Sequence, residues 1–248
     1  MNQTQPDMVR KGRGAVNNQV GRFETNERIA GDDDWLVEDK TQERVSTTLT
    51  AEAARKVITR NKSPDVPFDQ SINPYRGCEH GCIYCFARPT HAYYGLSSGL
   101  NFSTKLFYKP DAAERLRAEL SNPKYTTNVM ALGTNTDPYQ PVEREHRLTR
   151  RIPEVLAEFN HPFGIITKSD LVLRDADIIA LMAAKGMAVV TLSVTTLDRD
   201  LARKLEPRVP TPSKWITAIN SLAALGIPTG VLAARMIPAL NDMELEKI

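Results

Sequence analysis

Two rhythms of apolar residues alternate along this chain. Short runs of strand length are separated by stretches in which apolar residues recur every three or four positions. Ser71 to Tyr75 reads as a first strand, Asn128 to Gly133 as a second and Phe163 to Thr167 as a third. Met187 to Ser193 reads as a fourth and Ile227 to Met236 as a fifth. Helical patterns fill the intervals: Asp111 capping a helix through Leu120, Val142 to Phe159, Asp175 to Lys185, a turn near Asp198 to Leu205, and Ser213 to Leu225. In the second of these, Leu148, Ile152, Val155, Leu156 and Phe159 share one face. The fourth strand is continuously apolar, as a buried parallel strand is. Asn241 and Asp242 look like the start of one more helix. This alternation predicts an α/β fold with a parallel sheet, curved into a barrel or left open, working at the C-terminal ends of its strands.

Upstream the rhythm fades. Residues 1–45 are polar and read as a disordered or extended arm; the alternative is a basic arm, through Arg10, Lys11, Arg13 and Arg22, that touches nucleic acid or packs over the barrel. Residues 46–70 read as a connector with a short helix from Ala51 to Arg60, capped by Thr50, and Pro-containing steps from Asn61 to Pro67. Residues 71–248 then carry the α/β body. A chain of 248 residues with 41% hydrophobic and 25% charged residues has enough apolar material for a real core. Its net charge of +2 does not by itself imply a nucleic-acid partner. No run of 18 apolar residues predicts a membrane span, and the N-terminus has no signal-peptide core.

All three cysteines fall between Gly77 and Arg88, as Cys78, Cys82 and Cys85, with Tyr84 just before the third. Three thiolates at C-x3-C-x2-C spacing can converge on one soft metal centre, with Gly77 and Gly81 letting the backbone curl around it. A four-iron cluster usually takes four cysteines, so three leave one iron open to a ligand. Structural zinc, with His80 or His91 as fourth ligand, is the competing reading, but no second C-x2-C knuckle accompanies it. A disulfide framework fits neither the odd count nor the tight spacing. Clustered free thiols point to a reducing cytoplasm. The strand ends add Thr134 to Tyr139, Thr167 to Asp170, Ser193 to Thr196 and Arg235 to Pro238, a rim of hydroxyls with one lysine and one arginine.

The segment C-E-H-G-C-I-Y-C resembles the signature of the radical S-adenosylmethionine (SAM) enzymes, C-x3-C-x-aromatic-C. The resemblance implies a 4Fe-4S cluster on Cys78, Cys82 and Cys85. It also implies SAM chelated at the open iron and split by one electron to give a 5′-deoxyadenosyl radical. Within that superfamily the chain is similar, from about Arg13 to its last residue, to the branch related to spore photoproduct lyase and described as DNA-repair-photolyase-like. Matching motif by motif carries SAM-binding roles onto Tyr84, Thr136, Lys168 and Ser193. The resemblance further implies a partial (β/α) TIM-like barrel, with about five of an expected six βα units and the sixth strand missing. An uncovered edge is expected to lower solubility and weaken cluster binding or turnover. The implied partners are a flavodoxin- or ferredoxin-type electron donor and a nucleic-acid lesion or modified nucleotide as substrate, with no membrane. A cluster- or zinc-stabilised nucleic-acid-binding module without redox chemistry is the alternative.

Two departures stand out. The lyase uses a cysteine two positions before its second-strand SAM hydroxyl to return a hydrogen atom. Here that position is Thr134, whose O–H bond is too strong for the task. Tyr93, Tyr94 or Tyr139 would have to relay a hydrogen atom instead. The branch also places an arginine past a Leu-Glu-Pro step. The step is present as Leu205, Glu206 and Pro207, but Trp215 takes the arginine's place, with Arg208 or Lys214 as stand-ins.

Overall fold

The computed structural model describes residues 12–19 and 45–248. Its principal sheet has six strands in the order β2-β3-β6-β7-β8-β9. These are β2 (Ile58–Arg60), β3 (Gln70–Ile72), β6 (Met130–Leu132), β7 (Phe163–Thr167), β8 (Ala188–Val194) and β9 (Thr229–Ala233). From β3 to β9 every pairing is parallel; β2 joins antiparallel to β3 at one edge. The five expected strands are therefore present and neighbour one another in sequence order. Among the described residues the sheet stays open, with β2 and β9 at its edges and no closed barrel.

The crossovers are helical. They run through α2 (Ala112–Leu120), α3 (Glu143–His146), α4 (Leu148–Glu158), α5 (Ala176–Ala183), α6 (Arg199–Leu205) and α7 (Pro212–Ala224). One core forms between helices and sheet: Leu116 from α2, Ile152, Val155 and Leu156 from α4, Ile179 and Met182 from α5 and Leu222 from α7 meet Ile72, Leu132, Phe163, Ile165, Val190 and Leu192. Each fully buried leucine or isoleucine contributes about 1.5–3 kcal/mol. Strand alternation then sets what the other face carries. Ile165 and Leu192 enter this core, while their neighbours Ile166 and Ser193 line a cavity.

Several expectations are corrected. The stretch from Ala51 to Arg60 is not a helix capped by Thr50. It holds the end of β1 (Thr48–Ala51) and all of β2, because Thr48, Leu49 and Thr50 find a parallel partner in β5 (Lys105–Tyr108). The first strand is split: β3 lies in the main sheet, and β4 (Tyr75–Arg76) pairs antiparallel with β5 in a separate sheet ordered β1-β5-β4. The helix from Val142 is broken at Arg147, whose φ of 49° separates α3 from α4. Leu148, Ile152, Val155 and Leu156 are buried as expected, whereas Phe159 lies past the end of α4 and is exposed. Asp111 sits at the N-cap of α2 but makes no capping bond; its carboxylate pairs with Arg115 at 2.8 Å. After Asn241 the chain makes only a 3-10 turn over Asp242–Glu244.

The N-terminal arm also differs where it is described. Residues 12–19 pack onto the body, while the rest of the arm, including Arg10, Lys11, Arg22 and the Asp32 to Asp34 run, lies outside the described residues. Arg13 is buried, and its guanidinium donates to Ser103 O at 2.5 Å, Val45 O at 2.8 Å and Thr47 Oγ1 at 2.9 Å. Asn17 O accepts from Leu100 N at 2.8 Å, and Asn18 Oδ1 accepts from Asn101 N at 2.8 Å, at the start of α1 (Asn101–Thr104). Polar side chains hold this segment, so hydrophobic periodicity carries no sign of it.

Candidate cluster and nucleoside site

The cysteine loop follows β4 and is folded by backbone groups. Cys78 N donates to Phe102 O, Gly81 N to Cys78 O, Ile83 N to Leu205 O and Cys85 N to Cys82 O. Gly77 and Gly81 adopt φ of 76° and 68°, the left-handed region that L side chains resist. At Gly77 a Cβ would also lie 2.7 Å from Phe102 O. Arg88 ties the loop together, donating to Gly81 O, Cys82 O, Ser98 O and Gly99 O at 2.9–3.2 Å. Gln140 clamps it from the second strand end, accepting from Glu79 N at 2.8 Å and donating to Gly77 O at 3.2 Å.

Cys78, Cys82 and Cys85 all line one cavity of ≈ 350 Å³ at the C-terminal ends of the parallel strands. Tyr84, Thr136, Lys168 and Ser193 line the same cavity. These residues arrive from four separate elements, and parallel topology brings them together. Burial pushes the Cys82 thiol well up, with Glu206 adding to the effect and Lys168 opposing it; burial likewise raises Cys85. Both thiols are therefore neutral until a cationic centre offsets that cost, which is what iron bound to thiolate does. Among the described residues no group of three or more His, Cys, Asp or Glu is drawn tightly enough around a point to hold a single ion. Of the two expected fourth zinc ligands, His91 is hydrogen-bonded, whereas His80 lines the cavity and its Nδ1 has no hydrogen-bond partner among the described residues. His91 places Nε2 2.9 Å from Lys105 O, its ring against Phe102. His80 lies 3.4 Å from Asp137. Burial disfavours the charged form of His80, but Asp137 and Cys78 outweigh it and push its pKa up to about 10. Burial would raise the carboxyl of Asp137, yet His80 holds it below its ordinary value.

Lys168 is not a solvated loop lysine. Its Nζ lies 2.8 Å from Glu206 Oε1 and donates to Ser193 Oγ at 3.0 Å, Thr195 Oγ1 at 3.1 Å and Ala234 O at 3.3 Å. Glu206, wholly buried, also accepts from Thr195 Oγ1 at 2.8 Å and from the hydroxyl of Tyr84. Thr195 and Asp137 lie on the polar rim expected at the strand ends, whereas Glu206 is marked in the sequence only by the Leu-Glu-Pro step, which assigns it no role. Thr136 donates its hydroxyl to Tyr75 O at 2.9 Å, which leaves its lone pairs facing the cavity as acceptors.

Trp215 is buried and donates Nε1–H to Lys168 O at 2.7 Å, so it fixes the backbone that carries Lys168. The expected stand-ins sit elsewhere: Arg208 pairs with Glu79 at 2.8 Å and Lys214 with Asp170 at 3.6 Å, and neither lines the cavity. Nor do the three tyrosines considered as hydrogen-atom relays. Tyr93 points into solvent, Tyr94 stacks on Phe107 with centroids 4.6 Å apart, and Tyr139 is buried in the helix-side core. No helix among the described residues is long and apolar enough to cross a membrane.

An uncharacterized protein of Mycobacterium tuberculosis is 40% identical over 185 residues, which is 73% of this chain and 54% of that protein. One from Methanocaldococcus jannaschii is 29% identical over 191 residues, 77% of this chain and 68% of that one. The chain thus spans about half the length of the mycobacterial relative, 54% of it. Among solved structures, spore photoproduct lyase complexed with dinucleoside spore photoproduct superposes with a TM-score of 0.55 at 14% identity, over 77% of this chain and 52% of that one. A mutant of that lyase with bound AdoMet and the same dinucleoside matches at 0.53, over 76% and 52%. At such identity the likeness shows a shared fold. Residues 72–248 match the model of the Radical SAM superfamily, and the chain belongs to that family.

Proposed function

We propose that this chain binds a 4Fe-4S cluster through Cys78, Cys82 and Cys85 and acts as a radical SAM enzyme on a nucleic-acid lesion or modified nucleotide. The observation that carries the reading is the single cavity shared by the three cysteines and by Tyr84, Thr136, Lys168 and Ser193. The cluster, when bound, supplies the electron that splits the SAM sulfonium and releases the 5′-deoxyadenosyl radical. The chain's own residues bind and orient. Thr136 Oγ1 accepts from the SAM ammonium, Ser193 Oγ donates to its carboxylate, and Lys168, donating to Ser193 Oγ, orients that hydroxyl. The backbone at Tyr84 faces the adenine. The electron comes from a flavodoxin- or ferredoxin-type protein in a reducing cytoplasm. The dinucleoside in the lyase structures supports a nucleic-acid substrate, while Thr134 in place of a hydrogen-donating cysteine argues for a reaction other than that lyase's own.

Anaerobic reconstitution with iron and sulfide tests the proposal. The protein should turn brown with about four irons per chain, and dithionite with SAM should then release 5′-deoxyadenosine. Cys82→Ala should abolish both colour and product. Colourless protein holding one zinc, or product formation by Cys82→Ala, would refute the reading.

A further inference from the structure

Among the described residues one lysine and one arginine line the cavity, Lys168 and Arg235, and their surroundings differ sharply. Lys168 is already compensated by Glu206 at 2.8 Å and spends its N–H groups on Ser193, Thr195 and Ala234 O. Arg235 is exposed, and among the described residues its guanidinium has no carboxylate partner and no hydrogen-bond acceptor. It is nevertheless held in place. Ala234 N donates to Val194 O at 3.1 Å, and Arg235 O accepts from Asn241 Nδ2 at 2.9 Å. Asn241 is itself buried; it donates to Thr195 O at 2.6 Å and accepts from Ile237 N at 2.6 Å. The backbone is therefore pinned at Ala234 N and at the arginine's own carbonyl, and the guanidinium lies 5.9 Å from the ring centroid of Tyr84, which also lines the cavity.

A second feature of the cavity is apolar. Phe86, next to Cys85, lines it and is 67% exposed, and Phe68 and Val66 line it as well. An open cation and an uncovered aromatic ring that line the same cavity are complementary features. A guanidinium fork matches the oxygens of a phosphate, and a phenyl face matches a flat ring.

We propose that Arg235 anchors the phosphate group of a second ligand in this cavity, whose heteroaromatic ring rests against Phe86. This rests on the reading that SAM takes the part of the cavity nearest the cysteines. The other oxyanion within reach is the SAM carboxylate, and the experiment separates the two.

Reconstituted protein saturated with SAM, without reductant, is titrated with thymidine 5′-monophosphate and with thymidine by calorimetry or saturation-transfer NMR. A pyrimidine probe does not compete for the adenine position. Wild type should bind the monophosphate about tenfold more tightly than the nucleoside. Arg235→Gln should erase that preference without changing thymidine binding, and Arg235→Lys should keep part of it. SAM affinity, measured separately, should stay within about twofold in both variants, and melting confirms that both fold. Phe86→Ala should weaken nucleoside and monophosphate alike. The proposal is overturned if wild type shows no phosphate preference, if the preference survives Arg235→Gln, or if that substitution instead weakens SAM about tenfold. Because binding is read without turnover, phosphate discrimination lost in Arg235→Gln supports the site even in a preparation that yields no 5′-deoxyadenosine. Cleavage of SAM without discrimination refutes this inference alone.

Discussion

Gly14→Ala adds one methyl group where the N-terminal segment crosses the cysteine loop. The new Cβ would lie 2.0 Å from Gly81 O, 3.2 Å from Gly81 C and 2.9 Å from Ile83 Cγ2. Relieving the contact with the carbonyl oxygen requires a backbone shift of about 1 Å or more, and the atoms concerned belong to main chain that cannot rotate away. If the loop yields, Gly81 and Ile83 move beside Cys82, and overpacking of this kind costs about 1–3 kcal/mol. If the segment lifts instead, it gives up the Arg13 bonds to Ser103 O and Val45 O and the Asn17–Leu100 and Asn18–Asn101 bonds, each contributing about 1 kcal/mol. Either route loosens the loop that carries the thiols. Gly14→Ala should therefore lower the denaturation midpoint and retain less iron after anaerobic reconstitution and desalting. Gly230→Ala is the control, since its Cβ meets nothing nearer than 3.5 Å. Equal iron retention and equal melting of Gly14→Ala and wild type would refute the bracing role of residues 12–19.

Other substitutions probe the rim. Lys168→Met strands Glu206 in the interior and should destabilise by about 3–5 kcal/mol in urea titrations, with Lys168→Met/Glu206→Gln recovering much of the loss. Both variants should keep their iron and bind SAM more weakly, and a double variant no more stable than the single would show that the pair is not coupled. Tyr84→Phe removes the hydroxyl that meets Thr195 Oγ1 at 2.8 Å and Glu206. It should raise the KM for SAM severalfold with little change in cluster content, checked by 5′-deoxyadenosine release. His161 is buried, its Nε2 2.8 Å from Tyr125 OH, and burial lowers its pKa below 6.5. The unfolded chain then takes up a proton that the folded chain refuses, so stability falls as pH drops through about 6.5. His161→Gln should flatten that slope between pH 7 and 5.5 in melting experiments.

Legibility followed the kind of force at work. Strands β6 to β8 and helices α2, α4, α5 and α7 could be read because each buries one apolar face, and burial writes a period into the sequence; β9 buries none of its residues and is legible as an apolar run. The cysteine triplet was equally plain, because all three cysteines of the chain fall between Cys78 and Cys85. The sheet β1-β5-β4 and the break at Arg147 were not: a strand such as Lys105–Tyr108 exists only because distant partners accept its backbone, and a lone left-handed residue leaves no periodic trace.

What the sequence alone determined, then, was the succession of strands and helices along the chain and the clustering of its three thiols. The tertiary structure decided which polar groups face one another at the strand ends. Glu206 meets Lys168 and Tyr84 from the end of α6, and Trp215 holds the Lys168 carbonyl from α7, across separations that no local pattern encodes. It also decided that Arg235 keeps its charge open while Lys168 does not. Charge compensation depends on distance in space, and only the folded chain brings Glu206 to one cation and leaves the other facing the cavity.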